Sequence, residues 1–172
     1  MRSIDEFHEY VKDLATSKEV LFMDNYIQHG DITTLEHVVS VAYSAFLYSK
    51  KHNLDARLTA RGAMLHDLYL YDWHIKDPRR RPPLTHGFTH PATAARNAER
   101  LFNITKQERQ IIRNHMWPLT IFHIPPTREA MVVSISDKIC ATQETLGYYD
   151  NSKKRLIVKQ YIARIKSKAA TA

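Results

Sequence analysis

The sequence predicts an all-α fold, and three observations carry that reading. Only 4 glycines occur in 172 residues, few turn positions for the many short connections of a strand-rich domain. Helix-opening signatures recur: Ser3 with Glu6, Thr33 with Glu36 and Thr105 with Glu108 each place a hydroxyl three residues before an acid, the spacing of a capping box. Between them, apolar residues such as Val38, Val41, Ala42, Ala45 and Phe46 fall at helical spacing.

In chain order, Ser3 opens a first helix to about Thr16. Val20 to Ile27 predicts a second, closing at His29-Gly30. His8 and His29 near these ends read as solvated. Thr33 caps a helix running to about Lys51, with His37 in its first turn. Asp55 opens the next, through Leu58, Ala63, Met64 and Leu65 to the pair His66-Asp67. Residues 69–89 then lose periodicity. They hold Tyr69, Tyr71, Trp73, His74, the run Arg79-Arg80-Arg81, and Pro78, Pro82 and Pro83. A loop this long inside a compact domain is functional or disordered, and its aromatics predict packing over something.

His90-Pro91 predicts the next helix entrance, because proline suits the first helical position and restrains the residue before it. His86 is then left in the loop. That helix reaches about Phe102. Thr105 opens another through Ile111, Ile112 and His115, stopping before Pro118. Leu119 to Pro126 is apolar and proline-bounded, with His123 inside. A strongly apolar helix follows from about Arg128 to Leu146. It carries Asp137-Lys138 and Cys140 and is stopped by Gly147. Residues 151–168 predict a last, basic amphipathic helix.

The length suits one domain with a sizeable core. Hydrophobic content of 44% and charged content of 25% are ordinary for a soluble globular protein. No run approaches the roughly 20 apolar residues of a membrane span. The start Met1 to Glu6 has no apolar signal core, which predicts a cytoplasmic protein. The single Cys140 excludes an internal disulfide and reads as core.

The net charge of +7 is concentrated at the C-terminal end. Lys153, Lys154, Arg155, Lys159, Arg164, Lys166 and Lys168 face no acid in residues 151–172, and without these seven the remainder has 18 basic and 18 acidic residues. The basic residues interleave with a core-facing stripe, so this segment reads as a solvated helix face, and nucleic acid is not expected as a partner.

Histidines and acids in apolar settings line up along the chain: His37, His66-Asp67, His90, His115 and Asp137. A buried carboxylate without a partner is costly, and coordinating a cation offsets that cost. Nitrogen-plus-carboxylate donors suit iron, manganese, cobalt, nickel or zinc better than calcium. His74, His86 and His123 read as surface or site-bordering residues. Arg79, Arg80, Arg81 and Lys138 are candidates for binding substrate phosphate, which guanidinium forks match.

The order His, His-Asp, His, His, Asp resembles the HD-domain superfamily of metal-dependent phosphohydrolases, over roughly residues 31–147. His37, His66, Asp67 and Asp137 match its four-residue core. His90 and His115 match the extra pair of members that hold two metals. The resemblance implies a helical bundle around a buried site and hydrolysis of a phosphate ester or anhydride, often of a nucleotide, by a metal-activated water. By that analogy His37, His66, Asp67 and Asp137 hold a first divalent ion, and Asp67 bridges to a second held by His90 and His115. Asp67 and His66 stand at the centre of catalysis, and the partner is a small phosphorylated substrate.

The organisation that follows is one unit over 1–172: N-terminal helices at 3–29, a metal-binding core at 31–147 and a basic helix at 148–172. His115 is followed by Met116-Trp117-Pro118, unlike the branch that hydrolyses cyclic-di-GMP. The threonine-rich text usual after the fifth ligand in members that hydrolyse diadenosine tetraphosphate is absent. Two other functions remain open at this point: a di-iron oxygenase of the same fold, and a binding module with structural metals.

Overall fold

A computed structural model describes residues 3–75 and 85–171. Eight α-helices dominate them: α1 (Ser3–Ala15), α2 (Lys18–Phe22), α3 (Thr34–Lys51), α4 (Ala56–Leu65), α5 (His86–Phe102), α6 (Lys106–Asn114), α7 (Arg128–Thr145) and α8 (Lys153–Ala170). Two short strands, β1 (Ile27–His29) and β2 (Ile32–Thr33), pair antiparallel before α3. No helix among the described residues is long and apolar enough to cross a membrane. Arg79, Arg80 and Arg81, with Pro78, Pro82 and Pro83, lie outside the described residues.

The middle of the fold is α3, which packs against α4, α7, α8 and α1. Its sequence suits this: Leu35, Val38, Val39, Val41, Ala42 and Phe46 are all buried, so apolar residues cover most of its circumference. Phe7 of α1 joins α3 to α8 by ring contacts with Tyr43 (5.5 Å), Phe46 (5.6 Å) and Tyr161 (5.4 Å). Where α4 crosses α6, Gly62 lets the helices approach. A Cβ there would lie 2.7 Å from Ile111 Cγ2.

The caps largely follow the sequence. Thr105 and Glu108 form the reciprocal box, and Asp55 accepts from the Leu58 N–H at 2.8 Å. Thr33 accepts from the Glu36 N–H, but the Glu36 carboxylate turns to Arg155 instead of closing a box. Ser3 does not cap: its hydroxyl bonds Tyr43 Oη at 2.8 Å, and Glu6 pairs with Lys50.

Three expectations are corrected. The helix expected over Val20 to Ile27 ends at Phe22. A 3-10 turn follows at Met23–Asn25, where the Asn25 amide bonds the Phe22 carbonyl, and then β1 begins. Gly30, at φ +57°, supplies the left-handed residue that turns β1 into β2. Second, α5 starts at His86, not at Pro91, which lies inside the helix. The first four N–H groups of a helix have no partner in any case, so a proline at the sixth position removes only one ladder bond. Third, His8 is buried and bonded to Tyr161 Oη (3.1 Å) and Lys168 Nζ (3.1 Å). The basic helix is likewise tied to the body, with Arg155 buried and Arg164 paired with Asp5 at 2.8 Å.

Candidate metal centre

Five helices converge on one point. α3 contributes His37 from its first turn, α5 His90 and α7 Asp137. His66 and His115 stand at the C-caps of α4 and α6, and Asp67 follows His66. All six residues are buried. The helix ends matter here. A residue at a C-cap has carbonyls one turn back without ladder partners, and both C-cap histidines use one: His66 Nδ1 donates to Ala63 O and His115 Nδ1 to Ile112 O, each at 2.7 Å. His90 Nδ1 donates to His86 O at 2.9 Å, and His37 Nδ1 to Glu144 Oε2 at 2.8 Å.

Fixing every Nδ1 as the donor directs every Nε2 inward. This is how a protein prepares imidazole ligands: the outer hydrogen bond sets the tautomer and the ring orientation. The Nε2 atoms surround the two carboxylates. His37 Nε2 is 3.1 Å from Asp137 Oδ1 and 3.9 Å from Asp67 Oδ2. His66 Nε2 is 3.5 Å from Asp67 Oδ2 and 3.7 Å from Asp137 Oδ1. On the other side of Asp67, Oδ1 lies 3.1 Å from His90 Nε2 and 3.6 Å from His115 Nε2.

These donors fit a cation. His66 Nε2 and Asp67 Oδ1 are buried with no hydrogen-bond partner, although buried polar atoms in folded proteins are nearly always satisfied. His90 Nε2 and His115 Nε2 face each other at 2.8 Å. With both Nδ1 protons committed elsewhere, two lone pairs at that distance repel unless a positive charge lies between them. Donor atoms within 4.8 Å of one another fall into four groups among the described residues: His29, His37 and Glu144; His37, His66 and Asp67; His66, His115 and Asp137; and Asp67, His90 and His115.

The charges agree. Burial pushes the Asp67 carboxyl up, but the imidazoles of His66, His90 and His115 outweigh it and hold it well below the usual range. Asp137 is likewise depressed against the effect of burial, by His37, His66 and Lys138. Burial and the neighbouring His90 and His66 hold His115 well below the usual range, hence neutral. His37 goes the other way: burial lowers it, but Glu144 and Asp137 raise it well above the ordinary value. Two buried carboxylates thus demand positive charge beside His37, which a proton or a metal ion can supply.

A cleft of ≈ 320 Å³ opens onto the cluster, walled by Trp73, His86, Gly87, Met116, Lys138 and Ala141. It falls at the small end of ligand-site volumes. Trp73 stacks on His86 (5.2 Å, 10°) and His86 on His90 (4.6 Å, 20°). Lys138 reaches Asp137 Oδ2 at 3.0 Å and His115 O at 2.6 Å. A larger cleft of ≈ 570 Å³ between α1 and α8, lined by Ser3, Asp5, Tyr43 and Arg164 among others, lacks such a donor set.

The structure therefore brings together all six residues named from the sequence, with Lys138 beside them. His74 is exposed and bonds Asp72, and His123 lies outside the donor groups. His29 is corrected: it is half-buried, lines the cleft and meets the His37 ring at 5.8 Å. Two contributors were missed. Glu144 holds His37, and its spacing of seven from Asp137 puts both on one face of α7. Gln28 donates to Asp67 Oδ2 at 2.8 Å, and no motif marks it.

Comparison with known proteins agrees with this architecture. A family model described as HD domain matches residues 34–142, from the start of α3 to near the end of α7. No curated protein and no solved structure matches the chain. The chain belongs to the HD domain family, part of the superfamily of metal-dependent phosphohydrolases.

Proposed function

We propose that the protein hydrolyses a phosphate ester or anhydride of a small molecule such as a nucleotide, with two divalent cations. His37, His66, Asp67 and Asp137 hold one; Asp67, His90 and His115 hold the other. The observation that carries this reading is the division of Asp67, whose Oδ2 faces His37 and His66 while Oδ1 faces His90 and His115. The donor chemistry suits iron, manganese, cobalt, nickel or zinc. Bound cations at such a site lower the pKa of water and neutralise charge on phosphoryl oxygens.

The chain's own residues supply the remainder. The Nδ1 anchors keep the four imidazoles from reorienting between turnovers. Trp73 and His86 stack to form an aromatic wall of the cleft. Lys138 presents an ammonium at the cleft edge, its side chain 35% exposed, and a lysine there serves as a point charge for a substrate phosphate. Arg79, Arg80 and Arg81 remain further candidates for that role.

The test is phosphate release from a panel of nucleotides and sugar phosphates, by metal-replete parent and Asp67→Ala. The parent should hydrolyse at least one member. The variant should lose that activity and its metals while keeping a helical circular dichroism spectrum. Near-parent activity in the variant contradicts the assignment.

A further inference from the structure

β1 and β2 pair Ile27 with Thr33 and His29 with Ile32. Two steps along one strand oppose one step along the other, so Gln28 is the extra residue of a β-bulge. Bulges re-aim the side chain they carry and recur beside functional sites. Here the side chain goes inward. Gln28 is 9% exposed, and its Nε2 donates to Asp67 Oδ2 at 2.8 Å.

The other end of the amide sets its orientation. Oε1 accepts from the Tyr69 hydroxyl at 2.6 Å and from the Thr34 hydroxyl at 3.1 Å, and both of those residues are buried. An ionised carboxylate only accepts hydrogen bonds, so the NH₂ must face Asp67. The amide is held at both ends and has no second orientation that satisfies its partners.

This matters because the torsion that turns an aspartate carboxylate is broad and roughly two-fold, with little preference of its own. A carboxylate whose oxygens serve two different donor groups needs its plane fixed from outside. Oδ1 has no hydrogen-bond partner, so the restraint acts through Oδ2.

We propose that Gln28, backed by Tyr69 and Thr34, is the positioning residue that fixes the Asp67 carboxylate plane, so that its two oxygens serve two different cations. The proposal rests on the two-cation reading above. It also gives the hairpin a purpose among described residues that are otherwise mostly helical: its bulge delivers this amide behind Asp67.

The experiment is calorimetric titration of Mn²⁺ into the metal-stripped full chain, for the parent, Gln28→Met and Tyr69→Phe, with the visible spectrum of the Co²⁺-loaded forms. Losing an outer partner of this kind costs about 10–100-fold in metal affinity. Gln28→Met should lose affinity within that range and change the Co²⁺ absorption. Tyr69→Phe should lose less, because the amide stays but is free to turn. The metal-stripped Gln28→Met should melt somewhat below the parent, because the Tyr69 hydroxyl loses a buried acceptor and Asp67 a buried donor; the Co²⁺ spectrum is the readout that a merely structural residue would not move. Unchanged affinity and spectrum in Gln28→Met overturn the proposal and leave the two-cation reading standing. A parent that binds neither Mn²⁺ nor Co²⁺ overturns both. If Gln28→Met does not fold, Tyr69→Phe decides: reduced affinity supports the proposal and unchanged affinity overturns it.

Discussion

Replacing Arg155 by methionine should destabilise the protein by an amount that its three partners allow one to work out. Arg155 Nε bonds Glu36 Oε1 at 2.9 Å, Nη2 bonds Asp31 Oδ2 at 2.8 Å and Nη1 bonds Asp150 Oδ1 at 2.6 Å. The side chains of Asp31 and Asp150 are 74% and 46% exposed, whereas that of Glu36 is 8% exposed. Exposed pairs contribute roughly 0–1 kcal/mol each, so Glu36 dominates. Breaking a buried pair and stranding its partner costs roughly 3–5 kcal/mol, and the open side of this cluster argues for the lower end. The expected loss is therefore about 3 kcal/mol, or roughly 6–12 °C in Tm for a domain of this size.

The same variant carries a pH signature. Burial raises the Glu36 carboxyl above its ordinary value, against the pull of Arg155. Without the guanidinium it rises further. A carboxyl raised in the folded state favours folding below its unfolded pKa, and that stability is lost as pH climbs through the folded value. The destabilisation should thus shrink as pH falls from 7 towards the unfolded Glu value near 4.5. Urea melts of parent, Arg155→Met and Arg155→Met/Glu36→Gln at pH 7.5 and pH 5 measure this. The double variant, with no stranded charge, should recover part of the loss. A loss below about 1 kcal/mol at pH 7.5, the range of a surface pair, or an equal loss at both pH values would show that Glu36 is not stranded as a buried charge.

Two further outcomes are expected. Gly62→Ala gains about 1 kcal/mol of helix propensity, but its Cβ meets Ile111 Cγ2 at 2.7 Å, and overpacking costs about 1–3 kcal/mol. The net should be destabilising, and Gly62→Ala/Ile111→Ala should lose less than the sum of the singles; a Gly62→Ala variant more stable than the parent contradicts the contact. For His8, burial and then Lys168 and Arg164 hold the imidazole below its ordinary value of 6.5. Its neutral form favours folding above that value, and this stability is lost as pH falls below it, so His8→Gln should flatten the fall in stability between pH 7.5 and 5.5. Parallel curves would contradict that assignment.

The helices and their order were legible where a start carries its own signal. Thr33, Asp55 and Thr105 accept from backbone N–H groups three residues on, a bond that the nearby sequence encodes. The six candidate ligands were legible because histidines and acids recur, in one order, within segments that read as buried helices. What stayed hidden depends on distant partners. Glu144 meets His37 from 107 positions away and Gln28 meets Asp67 from 39, and neither has a local mark. Arg155 reads as part of a solvated basic face because two of its three acids, Glu36 and Asp31, lie 119 and 124 positions away. Pro91 misled for a local reason: a proline near a helix start suits the first position best, yet position six of α5 holds it.

The measurement closest to the central claim is metal content per chain, under metal-replete conditions, in the parent, His90→Ala and His115→Ala. Asp67 presents one oxygen to His37 and His66 and the other to His90 and His115. The parent should hold two divalent ions. Either variant should hold one ion, kept by His37, His66, Asp67 and Asp137. A single ion in the parent, unchanged in both variants, would contradict the two-cation centre.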